Sequence, residues 1–232
     1  MPESIDIRRS GEYPVLASIR HRPLGRISFD DALSLQERAI DDFRATGPGL
    51  PVVFSLEHSH VITCGRSTDM SNLLLSPDEY EKRGIDLRYI DRGGDVTYHG
   101  PGQVVLYPII LLREHNLRAG EYVRILEETM MRTCMDWGVR AHRRDGYPGC
   151  WTGEGKIGAV GTAVKSGGIT KHGLSFNVST DLDYFKLIVP CGIVGHKIVR
   201  LADLLDRPPS LRDVEMRLVG HFADLLGLKP PT

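Results

Sequence analysis

KIGAVGTAVKSGGITKHGLSFNV, residues 156–178, is the stretch whose reading decides the fold class. Residues 156–164 and 169–178 are two compact runs rich in β-branched and apolar side chains. Ser166-Gly167-Gly168 between them is a natural hairpin turn, so the pair reads as two antiparallel strands. Residues 51–62 (PVVFSLEHSHVI) and 103–110 (QVVLYPII) read as further strands on the same grounds. Helices lie around them. Residues 29–43 carry apolar positions at 29, 32, 33, 40 and 43, with Ser28 as N-cap. Residues 121–137 place Val123, Leu126, Met130, Cys134 and Trp137 three and four apart, with Gly138 closing the helix. Residues 211–226 start after Ser210 and face inward through Val214, Leu218, Phe222 and Leu225, and 198–205 reads as a shorter helical segment. Strands and helices mix without a strict βαβα rhythm, and hairpins are evident, so the class is α+β. No repeat, low-complexity tract or linker divides the chain, and one domain over 1–232 is expected.

The 232 residues are 41% hydrophobic and 25% charged, enough for one sizeable core. A formal net charge of -1 gives no basic field for nucleic acid or an anionic membrane. No apolar run approaches the roughly 18–20 residues that span a bilayer, and the first residues lack the apolar stretch of a secretory signal. Four widely spaced cysteines (Cys64, Cys134, Cys150, Cys191) form no disulfide framework, so free thiols in a cytoplasmic setting are expected. Cys64, Cys134 and Cys150 read as small core residues.

Several motifs fall away on context. GEGKIG (153–158) matches a dinucleotide fingerprint in letters, yet a strand-like run follows it where a helix is required. A phosphate loop needs Ser or Thr after the lysine, and Ile157 stands there. His58 and His60 share one side of a strand, a possible two-ligand metal site, but no third ligand is evident. The plainer reading makes them hydrogen-bonded surface residues.

Two segments resist a purely structural reading. In DRGGDVTYHGPGQVVLYP (91–108), paired glycines and Gly100-Pro101-Gly102 bracket a short strand carrying Thr97, Tyr98 and His99. Glycine at that density lets backbone approach a ligand closely, which marks a binding loop. In Val189-Pro190-Cys191-Gly192 the cysteine sits between turn residues, a placement poor for packing and suited to nucleophilic attack. A lone cysteine, taken by itself, is nonetheless more often structural than catalytic.

Taken together the blocks resemble the lipoyl(octanoyl) transferases. The signature is Arg92-Gly93-Gly94-Asp95-Val96-Thr97-Tyr98-His99-Gly100-Pro101-Gly102-Gln103, preceded by Leu56-Glu57-His58, Thr63 and Gly65-Arg66. It continues through Lys156-Ile157-Gly158-Ala159-Val160-Gly161, His172-Gly173-Leu174-Ser175-Phe176-Asn177 and Pro190-Cys191-Gly192, in the family's order over about residues 24–205. His60 and Cys64 depart from the small or apolar residues usual there, and the hairpin after Lys156 is one residue longer than typical.

The resemblance implies the catalytic fold of biotin and lipoate protein ligases, a mixed sheet with packed helices. It also implies an acyl pocket between the glycine-rich loop and a neighbouring hairpin. Cys191 matches the acylated nucleophile and Lys156 the lysine paired with it. Residues 92–99 (Arg92, Gly93, Gly94, Asp95, Val96, Thr97, Tyr98, His99), Ala159, Val160 and Gly161, and Gly173, Leu174 and Ser175 match the substrate-contacting segments. The implied reaction moves an octanoyl group from octanoyl-acyl carrier protein to a lysine on lipoyl domains of 2-oxoacid dehydrogenase complexes and the glycine cleavage H protein, in lipoate biosynthesis. No cofactor, metal, nucleic acid or membrane is expected, and a monomer is. An ammonium beside a thiol near pKa 8.5 would favour the thiolate. Thioester-to-amide transfer runs downhill without ATP. The rival readings are an ATP-dependent lipoate–protein ligase, a non-catalytic lipoyl-domain binding protein, and a cysteine hydrolase with His172 as base.

Overall fold

A computed structural model of the protein describes residues 18–47, 49–190 and 197–229. Among the described residues the chain runs through β1 (Arg20–Ile27), α1 (Phe29–Thr46), β2 (Val52–His58), β3 (Val61–Cys64), α2 (Pro77–Lys82), β4 (Asp86–Tyr89) and β5 (Val96–His99). It continues through β6 (Gln103–Ile109), α3 (Ala119–Asp136), β7 (Ala141–His142), β8 (Gly149–Thr152), β9 (Lys156–Lys165), β10 (Ile169–Asn177) and α4 (Leu211–Leu225).

The expected hairpin is the heart of a seven-stranded sheet ordered β1-β2-β6-β10-β9-β8-β7. Its turn glycines, Gly167 and Gly168, take φ of 86° and 83°, the left-handed backbone a tight hairpin needs. β1 and β2 run parallel and the other neighbours antiparallel, which makes the sheet mixed. A second, three-stranded sheet is ordered β4-β3-β5.

Alternation along β6 builds the core on both faces of the large sheet. Val105, Tyr107 and Ile109 pack with Phe54 against Ala32, Ala39 and Ile40 of α1. Val104 and Leu106 turn the other way, with Leu174 and Phe176, onto Tyr122, Leu126 and Met130 of α3 and Val214, Leu218 and Phe222 of α4. Each such buried side chain contributes about 1.5–3 kcal/mol of transfer free energy. A smaller core of Ile62, Tyr80, Val96, Tyr98 and Phe185 lies on the three-stranded sheet. The caps behave as expected: Ser28 Oγ accepts from the Asp31 N–H and Ser210 Oγ from the Asp213 N–H. Cys134 and Cys150 are buried with sulfurs 3.9 Å apart, and Cys64 is buried too.

Two expectations need correction. The run 51–62 is two strands, because Val52–Leu56 finds its partner in β6 while Val61–Cys64 pairs with His99–Val96 in the other sheet. The segment 198–205 is helical only as a 3-10 turn at Leu201–Asp203, and Ile198 instead bridges to Lys156.

Candidate active site

A cavity of about 470 Å³ opens between the β9–β10 hairpin, the loop at 92–95 with β5, and the start of α1. Its floor follows from register. Ala159 pairs with Ser175 and Gly161 with Gly173, so four small residues border the cavity side by side. Val160 and Leu174 also border it.

The opposite wall is Arg92, Gly93, Gly94, Asp95, Thr97 and His99. Strand parity divides the rest of that segment: Val96 and Tyr98 are fully buried in the small core and do not line the cavity. Tyr98 stacks on Tyr184 and its hydroxyl lies 2.8 Å from His60 Nδ1. Gly93 N–H donates to Thr162 O at 2.8 Å, which ties the wall to the floor.

Arg92 lines the cavity, is nearly buried, and has its guanidinium held by backbone and hydroxyl oxygens. Nη2 donates to Thr63 O at 2.6 Å and Thr63 Oγ1 at 3.0 Å, and Nη1 to Gly93 O at 3.1 Å. The side chain fits because two neighbours lack a Cβ. An added carbon at Gly161 would stand 2.8 Å from Arg92 Cδ, and one at Gly65 2.8 Å from Nη1.

Lys156, the first residue of β9, borders the same cavity and is 6% exposed. Its stem passes over Gly149, where an added Cβ would lie 2.7 Å from Lys156 Cε. Its ammonium is 5.4 Å from the Trp151 ring centroid. Gly149 is itself held by Glu127, whose Oε1 accepts its N–H at 3.1 Å. Lys156 is strapped to the chain after residue 196: its N–H donates to Lys197 O at 2.9 Å and its carbonyl accepts from Val199 N–H at 3.0 Å. Pro190 and Ile198 share a small cleft with Lys156, Thr97 and Ser175. Cys191, the expected nucleophile, lies outside the described residues.

Four aromatic residues border the cavity without having been singled out as substrate contacts: Phe29, Tyr107, Tyr147 and His172. Phe29 stacks near His172 with centroids 6.4 Å apart, and Tyr107 meets His172 edge-on at 6.0 Å. His172 takes φ 60°, unusual for a non-glycine strand residue. That backbone turns its side chain toward Asp91 instead of the α3 face that Leu174 and Phe176 occupy, and Gln36 Oε1 holds its N–H at 2.7 Å. His172 Nε2–H donates to Asp91 at 2.9 Å, and Asp91 also meets Lys165 at 2.7 Å. These donors hold the Asp91 carboxyl far below the usual carboxylate range, His172 first among them. Burial lowers the pKa of His172 despite Asp91, that of His99 to about 3 and that of His58 to about 4, so all three imidazoles are neutral at pH 7. The sequence signals available for Phe29, Tyr107 and His172 were only a helix-start aromatic, a strand tyrosine and a signature histidine.

His58 is not a surface residue. It is fully buried, with Nε2 2.8 Å from Tyr107 Oη and Nδ1 3.3 Å from Ile27 O. His60 turns away to stack on Tyr184, so the two do not form a metal pair. Among the described residues no cluster of three His, Cys, Asp or Glu side chains could hold a metal ion. Nor is any helix among them long and apolar enough to cross a membrane. The Gly153–Lys156 stretch enters a strand directly, without the helix a nucleotide-phosphate loop requires.

The arrangement is a slot with small residues on its floor, aromatic rings at its side and a lysine at one end. Such a shape suits an apolar chain whose reactive carbonyl lies by the amine. Comparison with known proteins agrees in kind. Residues 28–223 match the lipoyl protein ligase A/B catalytic domain. An octanoyltransferase of Solibacter usitatus is 45% identical over 202 residues, covering 87% of this chain and 90% of that protein. One of Chloroflexus aurantiacus is 39% identical over 209 residues, covering 89% and 93%. In fold, a bi-partite lipoate protein ligase of Thermoplasma acidophilum superimposes with TM-score 0.73 at 19% identity, over 93% of this chain and 86% of the other. A biotin protein ligase of Aquifex aeolicus reaches 0.53 at 10% identity, over 89% and 70%. The chain belongs to the lipoyl protein ligase A/B catalytic-domain family, on its acyltransferase branch.

Proposed function

We propose that this protein takes an octanoyl group from octanoyl-acyl carrier protein as a thioester on Cys191 and passes it to a lysine of lipoyl domains, a step of lipoate biosynthesis. The observation that carries the reading is the seat of Lys156. It stands at one end of the small-floored cavity, and the chain resuming at Lys197 is hydrogen-bonded to its backbone. Similarity to octanoyltransferases over most of both chains supports the acyl group and the reaction class.

In this reading the Cys191 thiolate attacks the carrier thioester, and the Lys156 ammonium protonates the departing carrier thiolate. Neutral Lys156 then accepts a proton from the incoming lysine amine as the amide forms. Arg92, Gly93, Gly94, Asp95, Thr97, His99, Ala159, Val160, Gly161, Gly173, Leu174 and Ser175 enclose the chain, while Val96 and Tyr98 support that wall from behind. Seven buried carbons at about 0.8 kcal/mol each contribute about 5–6 kcal/mol before ordering costs. The family match over 28–223 supports one catalytic domain for the whole chain, and we place it in the cytoplasm as a monomer.

Incubation with octanoyl-acyl carrier protein, without ATP, tests the proposal by intact mass. The expected product is a hydroxylamine-labile octanoyl adduct mapping to Cys191, absent in Cys191→Ala. Normal transfer by Cys191→Ala would refute covalent catalysis, and a strict need for ATP would favour the ligase reading.

A further inference from the structure

We infer that Phe29, Tyr107 and His172 form the end wall of the acyl slot and measure the chain at about eight carbons. The inference rests on the proposed function for which end of the slot holds the carbonyl, and adds the residues that set chain length.

Position along the hairpin gives the scale. The Lys156 stem lies over Gly149, which pairs with Ala159, and Ala159 pairs with Ser175. Three residues further, Thr162 pairs with His172, and this is the last rung of the hairpin to border the cavity. Three strand residues advance about 10 Å. A zigzag hydrocarbon with bonds of about 1.5 Å advances about 1.25 Å per bond, so the seven bonds of an octanoyl chain span about 9 Å. A chain starting beside the Lys156 ammonium therefore reaches the His172 rung as its eighth carbon ends.

The wall is made to meet a methyl group. Two of its polar groups are directed elsewhere: Tyr107 Oη to His58 Nε2, and His172 Nε2–H to Asp91. Phe29 adds a wholly apolar ring to that wall. Lys171, next along β10, is nearly buried and held by Glu37 at 3.2 Å and Asp91 at 3.3 Å. His172 keeps its place through its left-handed backbone and the Gln36 contact, a costly arrangement for a residue that only filled space. Phe29 is the adjustable member, since it is the first residue of α1 and its ring lies against His58 and His172 without a polar partner.

The test measures binding and transfer separately. Sodium salts of the saturated fatty acids from six to twelve carbons are titrated calorimetrically into the wild type, Phe29→Leu and Phe29→Ala. Wild-type affinity should tighten about fourfold per methylene up to eight carbons and then stop rising or fall. In both variants the break should move to ten or more carbons, raising the twelve-to-eight-carbon affinity ratio at least about tenfold. Phe29→Leu keeps the apolar helix start if the alanine variant fails to fold. In parallel, transfer from octanoyl- and dodecanoyl-acyl carrier protein is followed, and the same ratio should rise in the variants. A break that stays at eight carbons in a folded variant, or a wild-type affinity that climbs smoothly past ten, overturns the ruler. A break that moves while no variant and no wild type transfers any acyl group upholds the ruler and rejects the proposed function.

Discussion

Gly149→Ala is the sharpest probe of how the lysine is seated. Gly149 has φ 138°, a backbone that L side chains rarely adopt. Its added Cβ would stand 2.4 Å from Gly158 O and 2.7 Å from Lys156 Cε. Real Cβ contacts do not fall below 3.0 Å, so β8 and β9 must part by about 0.6 Å and the Lys156 stem must shift as well. Backbone strain of about 1–3 kcal/mol and overpacking of similar size predict a loss of about 2–4 kcal/mol. At about 2–4 °C per kcal/mol for a chain of this length, Tm should drop about 4–16 °C. The functional loss should be larger, since a displacement near 1 Å at a reacting group costs on the order of 10²-fold. Gly138→Ala is the control: φ is 72° there, with nothing within 4 Å of the added carbon, so strain arises without moving Lys156. Octanoyl transfer is followed at 25 °C, where both variants remain folded, beside thermal melts. If Gly149→Ala transfers as fast as Gly138→Ala, the contact over Gly149 does not set the position of Lys156, and the reasoning fails.

Lys156→Ala should lower octanoyl transfer by at least about 10²-fold with little change in Tm, as single-turnover assays and melting would show. Tyr107→Phe should destabilise by about 1–3 kcal/mol in urea unfolding, because buried His58 Nε2 loses its hydroxyl partner. Thr63→Val removes the hydroxyl that accepts from Arg92 Nη2 and Nε, and should raise KM about three- to tenfold more than it lowers kcat. Stability should fall as pH drops below about 6.5, because the unfolded chain protonates His58, His99 and His172, whose folded pKa values are lowered. Below about pH 4 the depressed Asp91 carboxyl adds a further loss, since its contribution is full above its unfolded pKa and declines as pH falls. Asp91→Asn should flatten that acid limb while leaving the limb between pH 6.5 and 4 in place, readable from urea midpoints across pH.

Local chemistry in the chain was enough for the parts that depend on near neighbours. Ser28 and Ser210 cap their helices through bonds to residues three positions on, and the Ser166–Gly168 turn closes a hairpin whose strands are adjacent. The small residues at 159, 161, 173 and 175 and the signature at 92–103 were also legible, the latter through family resemblance. Tertiary structure alone decided where distant segments meet. β1 reads RHRPLGRI, with a proline and a glycine, and becomes a strand only because it lies parallel to β2 at the sheet edge. β2 and β3 part company within one apolar run because their hydrogen-bond partners are in different sheets. Whether Thr97 and His99 or Val96 and Tyr98 faced the cavity depended on which side of β5 the small core lay, since parity alone names two faces without saying which is which. The end wall needed even more: a helix start, a central strand and a histidine with inverted backbone, brought together from positions 29, 107 and 172. No local propensity encodes such a meeting, because the free energy that holds it comes from packing between segments far apart in the chain.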